Sequence, residues 1–291
     1  MKKPIRNRAG FTLLELLVAM AITTIIVTVL VSITSIAIDV WNRSRSELRA
    51  SRQAKAMVDT LARDIESLVS RSGNNLEWLN AKTEAPKNSS NAAKMIFFTA
   101  AGDRYNGEIN TAEDKGGDVS CVGYQLDWKD PIDSSTGEKY ETFVLYRQLV
   151  NPDEAFEKLL GQENLAQAFQ NVSGDIQDNA NFICENVFQF TMTFHLEIPA
   201  ENAGDPPTQE QVVIQPSGGV SEFSITGNGI RTNTGATGLD GAKLRAVSLS
   251  LTVLSDSAVD ALRKRGALGN NPEWLAKNSF QYSKRIPMPG G

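Results

Sequence analysis

An uncharged stretch of 23 residues, positions 16–38, constrains this chain more than any other part of it. As a helix this stretch would be about 35 Å long, enough to cross the roughly 30 Å hydrocarbon core of a bilayer. One carboxylate, Glu15, comes directly before it. Inserting an acid at the centre of such a segment costs about 2.5–3.5 kcal/mol, so an acid retained beside it is a candidate functional residue. The sequence therefore predicts a membrane helix with a functional acid at its start.

A short basic leader precedes the apolar stretch. Residues 1–10 carry four cations, Lys2, Lys3, Arg6 and Arg8, and end at Gly10. The order of a basic leader, the hexapeptide Gly-Phe-Thr-Leu-Leu-Glu at 10–15 and some twenty apolar residues resembles the class III signal of type IV pilins and type II secretion pseudopilins. The resemblance covers about the first 40 residues.

That resemblance implies a processing and assembly pathway. In the family, a prepilin peptidase cuts after the glycine, here between Gly10 and Phe11, and methylates the new amino terminus, here Phe11. The family's glutamate, here Glu15, neutralises the terminal amine of a neighbouring subunit. Charge complementarity is consistent with this role of Glu15, because two opposite charges in a medium of low dielectric offset part of each other's burial cost. The chain would be a substrate of the peptidase and not itself an enzyme.

Two other interpretations of the same segment stay open. An ordinary secretory signal has an apolar region of about 7–15 residues before a small-residue cleavage site. Ala19, Met20 and Ala21 offer such a site, but Glu15 would interrupt the short apolar region and the run continues beyond the cut. An uncleaved anchor helix would explain the length of the run, yet it gives no role to Glu15.

The helical pattern continues beyond the apolar run. No proline occurs between Phe11 and Ala85, and the first glycine after Gly10 is Gly73. Apolar residues at spacings of three and four form one stripe: Ala54, Met57, Val58, Leu61, Ile65, Leu68 and Val69. We therefore expect one helix over 11–72, with a transmembrane or filament-core part at 11–39, an amphipathic continuation at 40–72, and a stop at Gly73.

Two shorter stretches carry a finer resemblance. Residues 61–71 are similar to the corresponding segment of the large minor pseudopilins of type J. The late strand and short helix at 246–256, with the tail at 285–287, resemble the pilin-like family named Verru_Chthon cassette protein C. These likenesses imply pilin-like export and add no activity.

From residue 73 to 291 the pattern changes to short apolar runs separated by loops, which predicts a globular head. Residues 94–100, 120–128, 142–150, 186–198, 211–215, 222–226 and 244–254 are typical of strands. Residues 152–170, 257–265 and 272–278 are typical of helices. One long helix followed by antiparallel-type strands predicts an α+β, pilin-like fold. Flexible loops are expected at 102–118, 199–208 and 227–241.

Charge and cysteine content limit the partners and the compartment. The net charge is −5, and removal of the leader would leave 25 basic against 34 acidic residues, so nucleic acid is not an expected partner. In an exported domain the two cysteines, Cys121 and Cys184, form a candidate disulfide, although two separate buried thiols would also fit.

Sequence motifs for catalysis are absent, and the evidence for a metal is weak. His195 is the only histidine, and no nucleophile elbow or phosphate-binding loop accompanies it. An acidic loop contains the oxygen ligands that calcium prefers, without the spacing of an EF-hand. Its candidate ligands are Asp103, Asn106, Glu108, Asp114 and Asp118. We expect a solvated loop there and no cofactor, with calcium as the alternative.

The sequence thus predicts a pilin-like structural subunit, anchored in the inner membrane by a single span. Its amino terminus would be cytoplasmic before cleavage, and its head periplasmic or on a surface filament. Expected partners are other pilin or pseudopilin subunits, the prepilin peptidase and the membrane. The alternative is a single-pass tethered domain that binds a ligand or has hydrolytic activity.

Overall fold

The computed structural model describes residues 12–89, 91–100, 117–132, 139–174, 176–200, 205–216, 218–233, 239, 241–266, 269 and 271–288. It divides into two compact units, Met1–Leu48 and Arg49–Gly291. Helix α1 (Leu13–Glu66) contributes to both, and antiparallel sheets follow it. The predicted α+β, pilin-like class is therefore confirmed.

Helix α1 ends at Glu66, six residues before the predicted end at residue 72. The next residues pair with residues 98–100 instead. The amide of Val69 donates to the carbonyl of Phe98 at 2.9 Å, and the amide of Ala100 donates to the carbonyl of Ser67. In addition, Oγ1 of Thr99 donates to the carbonyl of Asp64 in the last turn. These partners satisfy backbone groups that a longer helix would have used, so tertiary contacts override the helical pattern over 67–72.

Eleven strands occur in the described residues. They are β1 (Glu77–Thr83), β2 (Ala93–Thr99), β3 (Ser120–Lys129), β4 (Thr142–Val150), β5 (Phe182–Glu185), β6 (Val187–Ile198), β7 (Thr208–Val213), β8 (Glu222–Thr226), β9 (Gly229–Thr232), β10 (Lys243–Leu254) and β11 (Ser279–Pro287). A seven-stranded sheet has the order β5-β4-β3-β2-β1-β8-β9, and a four-stranded sheet has the order β11-β10-β6-β7. The ladders between these strands are antiparallel.

The larger hydrophobic core joins the second half of α1 to both sheets. It draws on α1 from Ala50 to Ile65, on β2, β3, β6 and β10, and on helix α4 (Asp256–Arg265). Phe194 on β6 stacks on Phe223 on β8 with ring centroids 4.1 Å apart, so side chains of the two sheets meet directly. We call this side of the seven-stranded sheet its inner face.

A second, smaller core covers the outer face of the same sheet. There α2 (Pro152–Glu154), the π-helical turn Ala155–Leu159 that continues it, and α3 (Leu165–Ser173) pack against alternate residues of β2, β3 and β4. The single helix predicted over 152–170 is thus two pieces. Gly161, in the left-handed region at φ +98°, lies at the break, and Asn164 caps the second piece by accepting from the amide of Gln167.

Several predicted elements agree with the structure, and one predicted loop does not. Strands β4 and β8 and helix α5 (Pro272–Asn278) have the predicted bounds. The loop expected at 227–241 contains strand β9, which pairs with β8 across the two-residue turn at 227–228. Two of the five glycines expected in this loop, Gly227 and Gly229, lie instead in a tight hairpin, a structure that favours Gly and Asn. Residues 234–238 and 240 lie outside the described residues. Most of the loop expected at 102–118 lies outside the described residues.

Candidate assembly site at the start of the long helix

Helix α1 begins with a capping box formed by Thr12 and Glu15. The Thr12 amide donates to Oε2 of Glu15 at 2.9 Å, and the Thr12 hydroxyl donates to the same oxygen at 3.0 Å. The Glu15 amide donates back to Oγ1 of Thr12 at 3.3 Å. This reciprocal Thr-x-x-Glu arrangement satisfies amides that have no partner within a helix. Thr12 was missed as a site residue, although its spacing from Glu15 is the signal for such a box.

Glu15 carries the only formal charge between Thr12 and Ile38. It is exposed, and its contacts in the structure are those to Thr12. Gly10 and Phe11, predicted as the cleavage and methylation positions, lie outside the described residues. Phe11 precedes Thr12 directly, so cleavage after Gly10 would create an ammonium one residue before the capping box. An exposed carboxylate on an apolar helix can accept such an ammonium from a second chain.

The apolar part of α1 is exposed in the described parts of the chain. Its large hydrophobic side chains from Leu13 to Val40 keep between 48% and 82% of their surface exposed. The helix is long and apolar enough to cross a membrane, with a mean hydropathy of 2.7 over its most apolar 18 residues. So much exposed apolar surface is a signature of contact with lipid or with other protein chains.

Five of the six hydroxyl groups along the same segment are paired by the helix itself. Each donates to the carbonyl four residues earlier at 2.7–3.0 Å, and they are Thr23, Thr24, Thr28, Ser32 and Thr34. Internal bonding of this kind lowers the cost of a hydroxyl in an apolar environment, and Ser35 is the one hydroxyl of the segment without such a bond. The polar residues in the stretch are therefore compatible with burial in lipid or in a filament.

A buried charge cluster fixes the second half of α1 to the inner face of the seven-stranded sheet. Asp64 has no exposed surface, and its Oδ2 accepts from the Tyr124 hydroxyl at 2.5 Å and from Nε of Arg147 at 2.9 Å. Burial and the neighbouring Asp64 carboxylate hold the pKa of Tyr124 well above its usual range. Asp64 follows Leu61 by three residues, so its place beside the apolar stripe was the signal that sequence reasoning overlooked.

A second, more exposed set of ion pairs lies where α1 enters the unit 49–291. Arg49 donates to Oδ2 of Asp256 at 2.8 Å and to Oε1 of Glu185 at 3.0 Å. Nδ2 of Asn186 donates to the other oxygen of Asp256. The Arg49 side chain is 57% exposed, so these pairs contribute little to stability compared with the Asp64 cluster.

The two cysteines are separate, free and buried. Cys121 on β3 is level with Val150 of β4, whereas Cys184 on β5 is level with Leu145, on the other side of β4. Five residues along a strand span about 17 Å, and a disulfide needs Cα atoms within about 7 Å. The cysteines also belong to different cores. The predicted disulfide is therefore wrong for this structure, and the alternative of two buried thiols holds.

The other candidate residues form no reactive site in the described parts of the chain. His195 lies on β6 with Nε2 2.7 Å from Oγ of Ser248 on β10, and burial lowers the pKa of its imidazole. Of the candidate calcium ligands, Asp118 is exposed, and Asp103, Asn106, Glu108 and Asp114 lie outside the described residues. Among described residues, no three His, Cys, Asp or Glu side chains are placed to hold a metal ion.

Comparison with known families agrees with the geometry of the first helix. Residues 5–31 match the prokaryotic N-terminal methylation motif. The match spans Gly10, Phe11, the Thr12–Glu15 capping box and about the first two thirds of the apolar segment. No curated protein and no solved structure shows a significant match to the chain. The motif supports a prepilin-type protein, and it covers only the amino-terminal part of the chain.

Proposed function

We propose that this chain is a pilin-like structural subunit, cut between Gly10 and Phe11 by a prepilin peptidase and methylated on Phe11. The subunit then joins a type IV pilus or a type II secretion pseudopilus. The observation that carries the proposal is the methylation motif at 5–31 together with an exposed carboxylate at the start of an exposed apolar helix. The segments at 61–71 and 246–256 favour the large subunits of type J or the cassette protein C family.

In this proposal the apolar part of α1 holds the subunit in the inner membrane until assembly. The leader faces the cytoplasm and the head faces the periplasm. During assembly, the Glu15 carboxylate of one subunit accepts the Phe11 ammonium of a neighbour. Either charge alone would be costly inside an apolar filament core, whereas the pair offsets much of that cost. Because each charge needs the opposite charge of a neighbour, a subunit placed with Glu15 beside the neighbour's Phe11 is favoured over one shifted along the filament.

The capping box determines how the Glu15 carboxylate is oriented for this docking. In the single chain, Oε2 of Glu15 accepts from both the amide and the hydroxyl of Thr12. A carboxylate has about four acceptor positions on its two oxygens, so Oε1 is available to a neighbour's ammonium while Oε2 keeps its bonds. The box therefore orients Glu15 before docking and does not block it.

Mass spectrometry of the mature amino terminus tests the proposal. The chain is expressed with and without a prepilin peptidase, alongside a Gly10→Val variant and an Ala21→Val variant as a matched control. The proposal requires a product that begins at methylated Phe11, formed only with the peptidase, lost in Gly10→Val and kept in Ala21→Val. A product that begins at Ile22 would identify a secretory signal. An intact Met1 under all conditions would identify a tethered domain.

A further inference from the structure

A solvent-facing cavity of about 400 Å³ lies on the outer face of the seven-stranded sheet, beside α3. This face is the one that α1 does not contact. The polar part of the wall consists of Glu84, Lys94, Gln125, Gln170 and Gln177. Ile96, Phe169 and Ile176 supply an apolar part. We call it the Gln125 cavity, and its volume is in the range of small-molecule sites.

Gln125 contributes a buried hydrogen-bond acceptor that no residue described by the structure uses. The residue is 5% exposed, and its Nε2 donates to Oε1 of Glu84 at 2.8 Å. That contact fixes the orientation of the amide, because a flipped amide would place its oxygen against the Glu84 carboxylate. Oε1 is left without a hydrogen bond in the structure. Buried acceptors are almost always paired in folded proteins, so the site calls for an external donor.

Among the described residues that line the cavity, the charged side chains are one carboxylate, Glu84, and one ammonium, Lys94, and their cancellation favours a neutral ligand. Oε2 of Glu84 lies 3.1 Å from Nζ of Lys82 and 3.8 Å from Nζ of Lys94, so lysines compensate this carboxylate. The remaining polar groups of the wall are the amides of three glutamines. A wall that offers both donors and acceptors suits hydroxyl groups, which donate and accept at one atom. The neighbouring apolar side chains suit the C–H surface of a ring.

We propose that the Gln125 cavity binds a neutral polyhydroxylated ligand of the size of a mono- or disaccharide. A hydroxyl of the sugar donates to Oε1 of Gln125, and Gln170 and Lys94 contact other hydroxyls at the mouth. The cavity lies in the unit 49–291. This binding activity is independent of the proposed filament role and would stand if that role failed.

Saturation-transfer NMR and calorimetry on the full chain test the proposal. The chain is placed in lipid nanodiscs, because glycosidic detergents would compete for the site. The probes are glucose, galactose and N-acetylglucosamine, with acetate and glycine betaine as charged comparisons. We expect saturable binding of at least one sugar with a Kd in the millimolar range, and no saturable binding of acetate or betaine. Gln125→Ala should weaken sugar binding about tenfold, as expected for one lost hydrogen bond.

A second variant keeps the test independent of folding. Gln170 is exposed on α3, so Gln170→Trp should block the mouth of the cavity without disturbing the core. Gln211→Trp places the same side chain at an exposed position of β7 and serves as the matched control. Binding lost in Gln170→Trp and kept in Gln211→Trp supports the proposal. No saturable binding of any sugar, tighter binding of acetate or betaine, or sugar binding unaffected by Gln170→Trp overturns it.

Discussion

Nε of Arg147 lies 2.9 Å from Oδ2 of Asp64, which joins a strand of the seven-stranded sheet to the last turn of α1. The Tyr124 hydroxyl contacts both atoms, since it donates to Oδ2 at 2.5 Å and accepts from the same Nε at 3.1 Å. Asp64 is fully buried, and the Arg147 side chain is 18% exposed. An isolated charge at this depth would be costly, so each group depends on the other. This cluster holds the long helix against the sheet.

We predict that Asp64→Ala lowers the free energy of unfolding by about 3–5 kcal/mol, because it removes the carboxylate that pairs with the largely buried Arg147 guanidinium. Tyr124→Phe should cost about 1–2 kcal/mol through the loss of a buried hydrogen bond. Urea unfolding of the full chain, followed by circular dichroism, measures both changes. Arg49→Ala is the control, since it removes two exposed ion pairs and should cost less than about 1 kcal/mol. Equal losses for Asp64→Ala and Arg49→Ala would contradict the prediction.

Stability should fall as the pH rises above 9. Burial, together with the neighbouring Glu185 carboxylate, raises the pKa of the Cys184 thiol from 9.0 to about 12. Between these values the unfolded chain loses this proton and the folded chain keeps it, so unfolding becomes easier with increasing pH. One such group contributes a slope of about 1.4 kcal/mol per pH unit.

The measurement is urea unfolding at pH 8, 9 and 10 under reducing conditions. Burial also raises the pKa of Cys121 and Tyr124, so the parent chain carries more than one contribution. Cys184→Ala should show a shallower slope than the parent between pH 9 and 10. Identical slopes in the two proteins would show that Cys184 is not protonated in the folded chain at these pH values.

Gly123 should tolerate no side chain, because α3 approaches the outer face of the sheet closely at this position. A Cβ built there would lie 2.8 Å from the ring of Phe169 and 3.0 Å from Ile176. We predict that Gly123→Ala costs about 1–3 kcal/mol, the usual effect of overpacking a core. Thermal unfolding of the single variant and of Gly123→Ala with Phe169→Leu checks the cause. If the contact with Phe169 causes the destabilisation, the smaller leucine side chain at position 169 should restore part of the stability in the double variant. If the destabilisations of the two substitutions add, the strain lies elsewhere.

Two substitutions separate the capping role of Glu15 from its charge. Gln can replace Glu in a capping box, so Glu15→Gln should preserve the start of α1 while removing the charge. Thr12→Val removes the hydroxyl cap, at a cost of about 1 kcal/mol in helix stability, and keeps the carboxylate. Processing should continue in both variants.

Filament incorporation should fall at least about tenfold in Glu15→Gln and Glu15→Val, since a neighbour's ammonium would lose its partner. It should stay near the parent level in Thr12→Val. Quantitative blotting of sheared filaments against the membrane fraction gives the ratio. If Glu15→Gln assembles as well as the parent chain, the carboxylate has no part in assembly and the proposed docking is wrong.

The sequence predicted what depends on local pattern. The α+β class, the apolar segment and the bounds of β4, β8 and α5 follow from periodicity and turn residues, which act over a few positions. The sequence analysis did not predict four strands, β1, β5, β9 and β11. In these strands apolar and polar residues alternate weakly, or the strand follows glycine and asparagine residues, which are signals for a turn. Their pairing depends on partners far away in the chain, such as β8 for β1. Local propensity carries no information about such distant partners.

The candidate sites show the same division. Glu15 stood out because it is a lone acid beside an apolar run, and the capping box was readable from a spacing of three. The place of Asp64 beside the apolar stripe was a signal, but its partners could not be predicted, because Tyr124 and Arg147 come from strands 60 and 83 residues later. The expected disulfide failed for the same reason: the distance between two cysteines is set by register and by the strand that separates them. An even number of cysteines gives no such information.

The hydroxyls of α1 bear on how a subunit could change surroundings. Five hydroxyls already donate to the backbone carbonyl one turn earlier, and they belong to Thr23, Thr24, Thr28, Ser32 and Thr34. Transfer of the helix from lipid to a protein bundle therefore breaks none of these bonds and requires no new acceptor. These five hydroxyls therefore do not distinguish lipid from a protein interior. In the function proposed above, the helix would leave the bilayer for a filament, or return to it, without breaking any of the five bonds.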